Sequence, residues 1–153
     1  MTDRSTAHAT FTIERRLTVS REKAFRAYAD PRSKARWFVG PEGWERSDHK
    51  LDFREGGRES VSGGPPGGPI HYYNALYQDI VPNERIVLAY EMHMDSTRIS
   101  VSLGTTEFKS DGKATRLVYT EQVVFLDGHD HVAAREHGTR ALFDNLAAQL
   151  EHE

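Results

Sequence analysis

The last stretch of the chain, residues 131–153, constrains the fold more than any other, because it combines a helical repeat with a change of character along its length. At about 3.6 residues per turn, one side of a helix here carries Val132, Thr139, Leu142, Phe143, Leu146, Ala147 and Leu150. The second half of this stripe is hydrocarbon, whereas the first half includes Arg135, Glu136 and Thr139. The pattern predicts a long amphipathic helix, with Asp130 as its N-cap, that closes a core at one end and faces a partly polar space at the other. A solvated first turn would give the same stripe.

The remaining positions of this helix differ from the stripe. Its other side carries His137, Arg140, Asp144 and Glu151. Gly138 lies at the flank, where a missing side chain would let a strand or a ligand approach, at a helix-propensity cost of about 1 kcal/mol.

The residues before this helix are predicted to be mainly strands, interrupted early by two short helices. Residues 10–19 alternate apolar and polar side chains, which is typical of a half-buried strand. Ser20 is a candidate cap for the first short helix, and Asp30-Pro31 starts the second, which stops at Gly40-Pro41. After these helices, turn signals separate about six further strands.

Alternation within these later strands predicts which side chains face the long helix. In residues 98–108 the shared face carries Ile99, Val101, Leu103 and Glu107. In residues 114–126 it carries Leu117, Tyr119, Glu121, Val123 and Phe125, and in residues 85–95 it carries Ile86, Leu88, Tyr90, Met92 and Met94. Residues 70–81 are ambiguous, because one set competes with another for the inner face: Tyr72, Leu76 and Ile80 against Tyr73, Ala75 and Tyr77.

This order of elements defines an α+β fold. A run of antiparallel strands with one apolar face needs a cover, and the last helix is the only one long enough to supply it. We therefore predict a curved antiparallel sheet of about six to seven strands wrapped on a long C-terminal helix, with two short helices after the first strand. Because a twisted sheet cannot meet a straight helix at the same distance everywhere, the space between them is a natural place for a cavity of roughly 300–1,000 Å³.

Composition sets further limits. A chain of 153 residues fits a single domain at residues 10–153, preceded by a polar tail at residues 1–9 that we predict to be disordered. The absence of cysteine excludes disulfides and thiolate ligands and fits a reducing cytoplasm. A net charge of −3 argues against a nucleic-acid partner. No apolar run is long enough to span a membrane, and the N-terminus lacks a signal-peptide core.

Several short motifs, in this order, resemble those of one known superfamily. They are Arg15, Ala24-Phe25-Arg26-Ala27, Asp30-Pro31, Arg36-Trp37, Gly40-Pro41, Glu55-Gly56-Gly57, Pro82-Asn83-Glu84-Arg85, Thr115-Arg116-Leu117, Tyr119-Thr120-Glu121-Gln122, Leu126-Asp127-Gly128 and Arg135-Glu136-His137-Gly138. Over residues 10–151 the chain resembles the START-like (SRPBCC) superfamily, and within it the bacterial proteins related to the C-terminal domain of the activator of heat-shock-protein-90 ATPase. The resemblance implies a helix-grip fold and ligand binding in a cavity. It also implies that a minority of members are cyclases or aromatases and that eukaryotic members assist a chaperone, and it supplies no catalytic motif.

Glu121 is the most informative single residue. By alternation it points the same way as Tyr119 and Val123, toward the long helix, and a carboxylate there must be paired or protonated. Arg135 lies on the helix side that should face the sheet, so we predict a Glu121–Arg135 pair at the polar end of the cavity. Such a pair would either orient a polar group of a ligand or lock the helix to the sheet.

The candidate ligand cavity combines this pair with aromatic, thioether and aliphatic side chains from several elements. Its predicted lining is Trp37, Tyr73, Tyr90, Met92, Val101, Leu103, Tyr119, Glu121, Val123, Arg135, Thr139 and Phe143. Aromatic and methionine side chains at such positions would equally suit an ordinary core.

Other patterns give negative or open predictions. His131 and His137 fall on different helix faces, so they do not form the i, i+4 pair of a metal site, and we predict neither a metal nor a cofactor. The Gly/Pro-rich stretch at residues 63–69 has no Lys-Ser/Thr after it and is therefore no phosphate cradle; it is either a mobile hairpin tip or a lid over the cavity. No nucleophile-elbow or metalloprotease motif is present, so no catalytic residue is assigned.

The sequence thus favours a cytoplasmic protein that binds a small, mostly apolar or aromatic molecule, without evident catalysis. Two alternatives stay open. A polyketide cyclase-like or aromatase-like enzyme would use Glu121, Glu91, His93 or Arg135 to polarise a carbonyl group. A chaperone-interacting module would need an exposed apolar or charged patch outside the cavity. The identity of the ligand and the formation of a homodimer also stay open.

Overall fold

Within the described residues, 3–152, the computed structural model has eight strands in one antiparallel sheet and three helices. In chain order the elements are β1 (Thr6–Leu17), α1 (Arg21–Ala29), α2 (Pro31–Trp37), β2 (Glu45–Arg46), β3 (Lys50–Leu51), β4 (Arg58–Gly64), β5 (His71–Val81), β6 (Arg85–Met94), β7 (Thr97–Asp111), β8 (Ala114–Leu126) and α3 (Val132–Glu151). The strand order is β1-β8-β7-β6-β5-β4-β2, and β3 pairs with β4 outside this path. β4 to β8 therefore form a meander, and β1 adds to its far edge beside β8.

The long helix α3 packs across the inner face of this sheet. Phe143, Leu146 and Leu150 are its buried residues, and they join a core built from β1, β5 to β8, α1 and α2. The two short helices lie beside the C-terminal half of α3, where Gln149 Nε2 donates to Ser33 Oγ at 2.8 Å. The predicted α+β helix-grip fold is confirmed, and its core fills one end of the layer between helix and sheet.

Aromatic side chains from α1 and α2 dominate that end of the core. The ring of Phe108 on β7 lies 5.4 Å from Phe25 and 5.3 Å from Tyr28, in edge-to-face arrangements. Tyr28 in turn contacts Trp37 at 4.9 Å, and Trp37 Nε1 donates to the carbonyl of Ala27 at 2.9 Å. These contacts hold α2 against α1, and α1 against the sheet. The position of the residues that follow α2 is therefore well defined.

The N-terminal prediction was partly wrong. β1 begins at Thr6 rather than Thr10, and its first residues pair with the last residues of β8, from Thr6 opposite Leu126 to Ala9 opposite Val123. Backbone pairing with a long neighbouring strand orders a segment whose own side chains are small or polar. Within the predicted tail, only Met1 and Thr2 lie outside the described residues.

The start of α3 also differs from the prediction. Its N-cap is His131, which makes no capping side-chain bond, rather than Asp130. By contrast, Ser20 and Asp30 cap α1 and α2 as predicted, by accepting from the backbone N–H of Lys23 and Arg32. No helix within residues 3–152 has both the length and the apolar character needed to cross a membrane.

The predicted inner face of β7 was wrong. The side chains that point inward are those of Ser100, Ser102 and Thr106, together with Gly104. Ile99 is also buried, because a register irregularity beside Met92 and His93 turns two successive residues inward; Val101, Leu103 and Glu107 lie outward. The small inner side chains leave space beneath α3 that aliphatic residues would have filled.

The inner face of β5, which the sequence left open, carries Tyr73, Ala75 and Tyr77. Tyr72 lies outward, at 38% exposure. A register irregularity between Tyr77 and Asp79 then turns Ile80 back toward the core. Two tyrosines from this strand therefore lie on the inner face of the sheet.

Candidate functional site

A cavity of about 750 Å³ lies between the sheet and the N-terminal half of α3. Its floor is formed by inner-face side chains of β5, β6, β7 and β8, and its walls by α2, residues 38–46 and α3. This volume falls within the roughly 300–1,000 Å³ that is usual for sites of small molecules. The cavity lies where the aromatic core ends, beside the first turns of α3.

Most of the residues predicted for the site line this cavity. They are Trp37, Tyr73, Tyr90, Met92, Tyr119, Glu121, Arg135, Thr139 and Phe143. Val101 and Leu103 do not, since they lie on the outer face of β7 at 37% and 38% exposure. Val123 is buried but does not line the cavity either. It lies on β8 between Glu121 and Phe125, both of which contact Arg135, so the guanidinium covers this part of the strand.

Glu121 forms the centre of a buried polar cluster at one end of the cavity. Its Oε1 accepts from Tyr119 Oη at 2.7 Å. Its Oε2 accepts from Tyr90 Oη at 2.7 Å, from Ser102 Oγ at 2.9 Å and from Arg135 Nη1 at 3.1 Å. The predicted Glu121–Arg135 pair is therefore present, and both carboxylate oxygens have partners.

Arg135 ties the first turn of α3 to this cluster. Its Nη2 donates to Ser100 Oγ at 2.7 Å, and its guanidinium lies 5.8 Å from the ring centre of Tyr90 and 5.2 Å from that of Phe125. Burial opposes the charged form, but Tyr90 and Glu121 outweigh burial and raise the pKa of Arg135. The guanidinium fits because the inner face of β7 is made of small residues.

The tyrosines of the cluster act as donors. Burial, followed by the charge of Glu121, raises the pKa of Tyr90, and burial with the nearby Tyr90 raises the pKa of Tyr119. Both phenols stay protonated at neutral pH and donate to Glu121. The carboxylate is therefore held as an acceptor by a closed set of protein groups.

The two other residues considered for catalysis, Glu91 and His93, lie outside the cavity. Glu91 and His93 are on the outer face of β6, where His93 Nδ1 lies 3.9 Å from Glu91 Oε1 and Arg98 Nη1 lies 3.5 Å from Glu91 Oε2. Neither lines the cavity.

A second buried charged cluster, which the sequence interpretation missed, lies beside α2. Lys34 Nζ donates to Glu59 Oε1 at 2.9 Å, and the same oxygen accepts from Tyr77 Oη at 2.7 Å. The other oxygen of Glu59 lies 2.6 Å from His49 Nε2. Burial alone would raise the pKa of Glu59, but Lys34, His49 and Tyr77 outweigh it and lower that pKa to about 2.

The Lys34 ammonium also lies against aromatic rings. It is 4.6 Å from the ring centre of Phe38, 5.6 Å from Tyr28 and 5.7 Å from Trp37. A signal for this cluster existed in the sequence. Glu59 shares a strand face with Val61, which is the same pattern that identified Glu121.

Aromatic side chains form much of the cavity wall between the two charged clusters. Tyr73 lies 5.0 Å from Phe38 and 4.9 Å from Tyr90, and the Trp44 ring stacks on His71 at 5.1 Å and 20°. Burial lowers the pKa of His71, against an opposing effect of Asp95. The wall can therefore accept a flat, mostly apolar molecule.

The mouth of the cavity is bordered by exposed residues of α3. Gly138 lines it, and a Cβ added there would meet nothing within 4 Å. His137, predicted to fall away from the inner side, also borders the mouth. Of the stretch predicted as a loop at residues 63–69, Gly63 and Gly64 belong to β4, and only Gly63 lines the cavity.

Potential metal ligands do not cluster in the part of the chain that the structure describes. No set of three or more His, Cys, Asp or Glu residues there could hold a metal ion.

Known structures share this architecture. A protein from Rhizobium leguminosarum is 47% identical, with a TM-score of 0.94 over 99% of this chain and 100% of that one. The Mll3558 protein from Rhizobium loti is 43% identical, with a TM-score of 0.88 over 95% of this chain and 99% of that one. An AHSA1-like protein from Aeromonas hydrophila has a TM-score of 0.71 over 94% and 93% of the two chains, and its 19% identity shows the fold alone.

The sequence itself also matches a family model. No curated protein matches the chain. The model described as "Activator of Hsp90 ATPase homolog 1-like protein" matches residues 18–151, from the end of β1 to the end of α3, and so spans the cavity and both charged clusters. With its helix-grip fold, the chain therefore belongs to the family of proteins like the activator of Hsp90 ATPase homolog 1.

Proposed function

We propose that this protein binds a small, mostly apolar molecule in the cavity between the sheet and α3. The observation that carries the proposal is the cavity of about 750 Å³, whose walls are largely aromatic and aliphatic and whose buried polar groups are gathered around Glu121 and Lys34. A pocket with apolar walls and a few placed polar groups is the usual form of a small-molecule site.

Family membership supports two kinds of module, a START-like ligand-binding module and one that resembles the activator of Hsp90 ATPase. The size and lining of the cavity favour the first. Ligand binding without catalysis is the simpler proposal, because both carboxylate oxygens of Glu121 already accept hydrogen bonds from protein groups. These bonds oppose a role of Glu121 as a general base.

Binding can be tested with N-phenyl-1-naphthylamine, an uncharged dye whose fluorescence rises in apolar surroundings. We expect saturable binding to the wild-type protein. Gly138→Leu places a side chain at the open mouth and improves helix propensity, so it should fold and bind the dye at least tenfold more weakly. Ala133→Leu is the matched control, since Ala133 is exposed on α3 and does not line the cavity.

The two tryptophans of the chain, Trp37 and Trp44, both line the cavity, so energy transfer from tryptophan to the dye should accompany binding. If the dye binds without this energy transfer, or binds Gly138→Leu and Ala133→Leu equally well, its site lies outside the cavity. Native mass spectrometry of the purified protein would then reveal any small molecule that co-purifies. The absence of saturable dye binding to the wild-type protein would contradict the proposal.

A further inference from the structure

Tyr73 differs from three of the other tyrosines that line the cavity. Tyr77, Tyr90 and Tyr119 each donate to a buried carboxylate at 2.7 Å. Within residues 3–152 the hydroxyl of Tyr73 makes no hydrogen bond. Tyr28 Oη also lacks a partner, but that atom is enclosed in the core, whereas Tyr73 is only partly buried.

The exposed part of Tyr73 opens into the cavity. The side chain points to the inner face of β5, and its cross-strand neighbours Val61 and Met92 also line the cavity. Phe38 holds the ring edge-to-face at 5.0 Å, and Tyr90 packs on it at 4.9 Å. The ring is therefore held in the cavity wall, and its hydroxyl has no protein partner within residues 3–152.

The charged groups on either side of Tyr73 are already balanced. Lys34 is paired with Glu59 at 2.9 Å, and Arg135 is paired with Glu121 at 3.1 Å. A charged ligand would add an uncompensated charge beside Tyr73, which is unfavourable. Glu42, Glu45 and Arg46 also line the cavity, but all three are exposed to solvent. Burial, followed by the nearby Glu59, raises the pKa of Tyr73, so its hydroxyl keeps its proton as a donor.

We propose that Tyr73 is the polar anchor of the site, and that the ligand is an uncharged, flat aromatic molecule with an oxygen that accepts a hydrogen bond from the Tyr73 hydroxyl. This inference rests on the proposed function, since it assigns the ligand class of the same cavity. It gives a role to a cavity tyrosine whose partly exposed hydroxyl bonds no protein group within residues 3–152.

Three probes of nearly the same shape test it: 2-acetylnaphthalene, which has the acceptor oxygen; 2-isopropenylnaphthalene, in which a methylene replaces that oxygen; and 2-naphthoate, which is charged. Each would be titrated as a competitor of N-phenyl-1-naphthylamine at neutral pH. We expect 2-naphthoate to bind at least tenfold more weakly than 2-acetylnaphthalene. Equal or tighter binding of the carboxylate would overturn the proposal.

The decisive comparison uses Tyr73→Phe, which removes an oxygen that has no partner within residues 3–152 and should leave the midpoint of urea unfolding unchanged. The affinity ratio of 2-acetylnaphthalene to 2-isopropenylnaphthalene should fall by about fivefold to tenfold in this variant, as loss of one hydrogen bond predicts. Tyr72→Phe, on the outer face of the same strand, is the matched control and should keep the wild-type ratio.

The outcomes separate the two proposals. If the three naphthalenes and the dye all fail to bind, the proposed function is wrong and the ligand class is wrong with it. If they bind but the ratio is the same in wild type and Tyr73→Phe, only the role of Tyr73 is overturned. A carbonyl stretching band of bound 2-acetylnaphthalene that moves to lower frequency in wild type, but not in Tyr73→Phe, would support the hydrogen bond directly.

Discussion

Arg135 Nη1 lies 3.1 Å from Glu121 Oε2, and this buried pair joins the first turn of α3 to the middle of β8. The pair closes one end of the cavity, and the aromatic core closes the other. Its partners on β6 and β7 are Tyr90, Ser100 and Ser102. A polar cluster therefore replaces hydrocarbon packing at the end of α3 that borders the site.

Glu121→Gln should lower the free energy of unfolding by about 3–5 kcal/mol, because it leaves the charge of Arg135 buried without a counter-ion. Urea denaturation at neutral pH measures this loss. The double variant Glu121→Gln/Arg135→Met should be more stable than the single variant. A double variant that is no more stable than Glu121→Gln would show that the two residues are not coupled. Unchanged dye affinity in Glu121→Gln would assign the pair a purely structural role.

The stability of the folded protein should depend on pH through the ionisation of Glu59. Its pKa falls from 4.5 in the unfolded chain to about 2 in the folded protein, so the stabilisation is complete above pH 4.5 and is lost as the pH falls toward 2. Unfolding midpoints of Glu59→Gln should therefore be lower than those of wild type at neutral pH and should change less over this acidic range. Asp79→Asn, which alters an exposed pair with Arg85, is the control and should follow the wild-type profile. Parallel profiles for wild type and Glu59→Gln would contradict the assignment.

Leu146→Ala should destabilise the protein by about 2–5 kcal/mol, since Leu146 is fully buried between α3 and the sheet. Leu142→Ala should have a smaller effect, because Leu142 is only partly buried at the edge of the same core. Chemical denaturation of both variants measures the difference. A negligible effect at Leu146 would mean that α3 does not cover the sheet.

Two glycines near the site should respond in opposite directions to alanine. Gly138→Ala should stabilise the protein by up to about 1 kcal/mol, because its Cβ meets nothing within 4 Å and helix propensity improves. Gly104→Ala should destabilise it by about 1–3 kcal/mol, since its Cβ would lie 2.9 Å from Tyr119 Oη and would displace a donor to Glu121. Thermal unfolding of the two variants measures both effects. Equal shifts in the same direction would contradict the position of the Tyr119 ring.

The fold was predicted well because the strongest apolar patterns in the sequence all indicate the same arrangement. The Leu142, Phe143, Leu146 and Leu150 side of α3 and the alternation on β6 and β8 depend on burial of hydrocarbon, which dominates folding. The buried carboxylate at position 121 was predictable for the same reason, as an exception on an apolar face that needs a partner.

The errors have a common physical cause. The inner face of β7 was assigned by hydrophobicity, yet the space beneath α3 is occupied by Tyr119, Glu121 and Arg135, so the strand must turn small side chains inward and leave Val101 and Leu103 outside. The Lys34–Glu59 pair was missed because β4 has only Val61 to mark an apolar face beside Glu59, so its alternation is much weaker than that of β8. A polar interior cannot be identified from apolar periodicity alone.

The pairing of β1 with β8 has a consequence for how the molecule is made. Thr12 lies opposite Thr120, so β1 can form these hydrogen bonds only after β8 has been synthesised. At about 5–20 residues per second that delay is roughly 5 to 20 s, during which the edge of β1 is unsatisfied. The sheet can close only after residues 114–126 have been synthesised, and most contacts join residues that are distant in sequence, which is typical of slow folding.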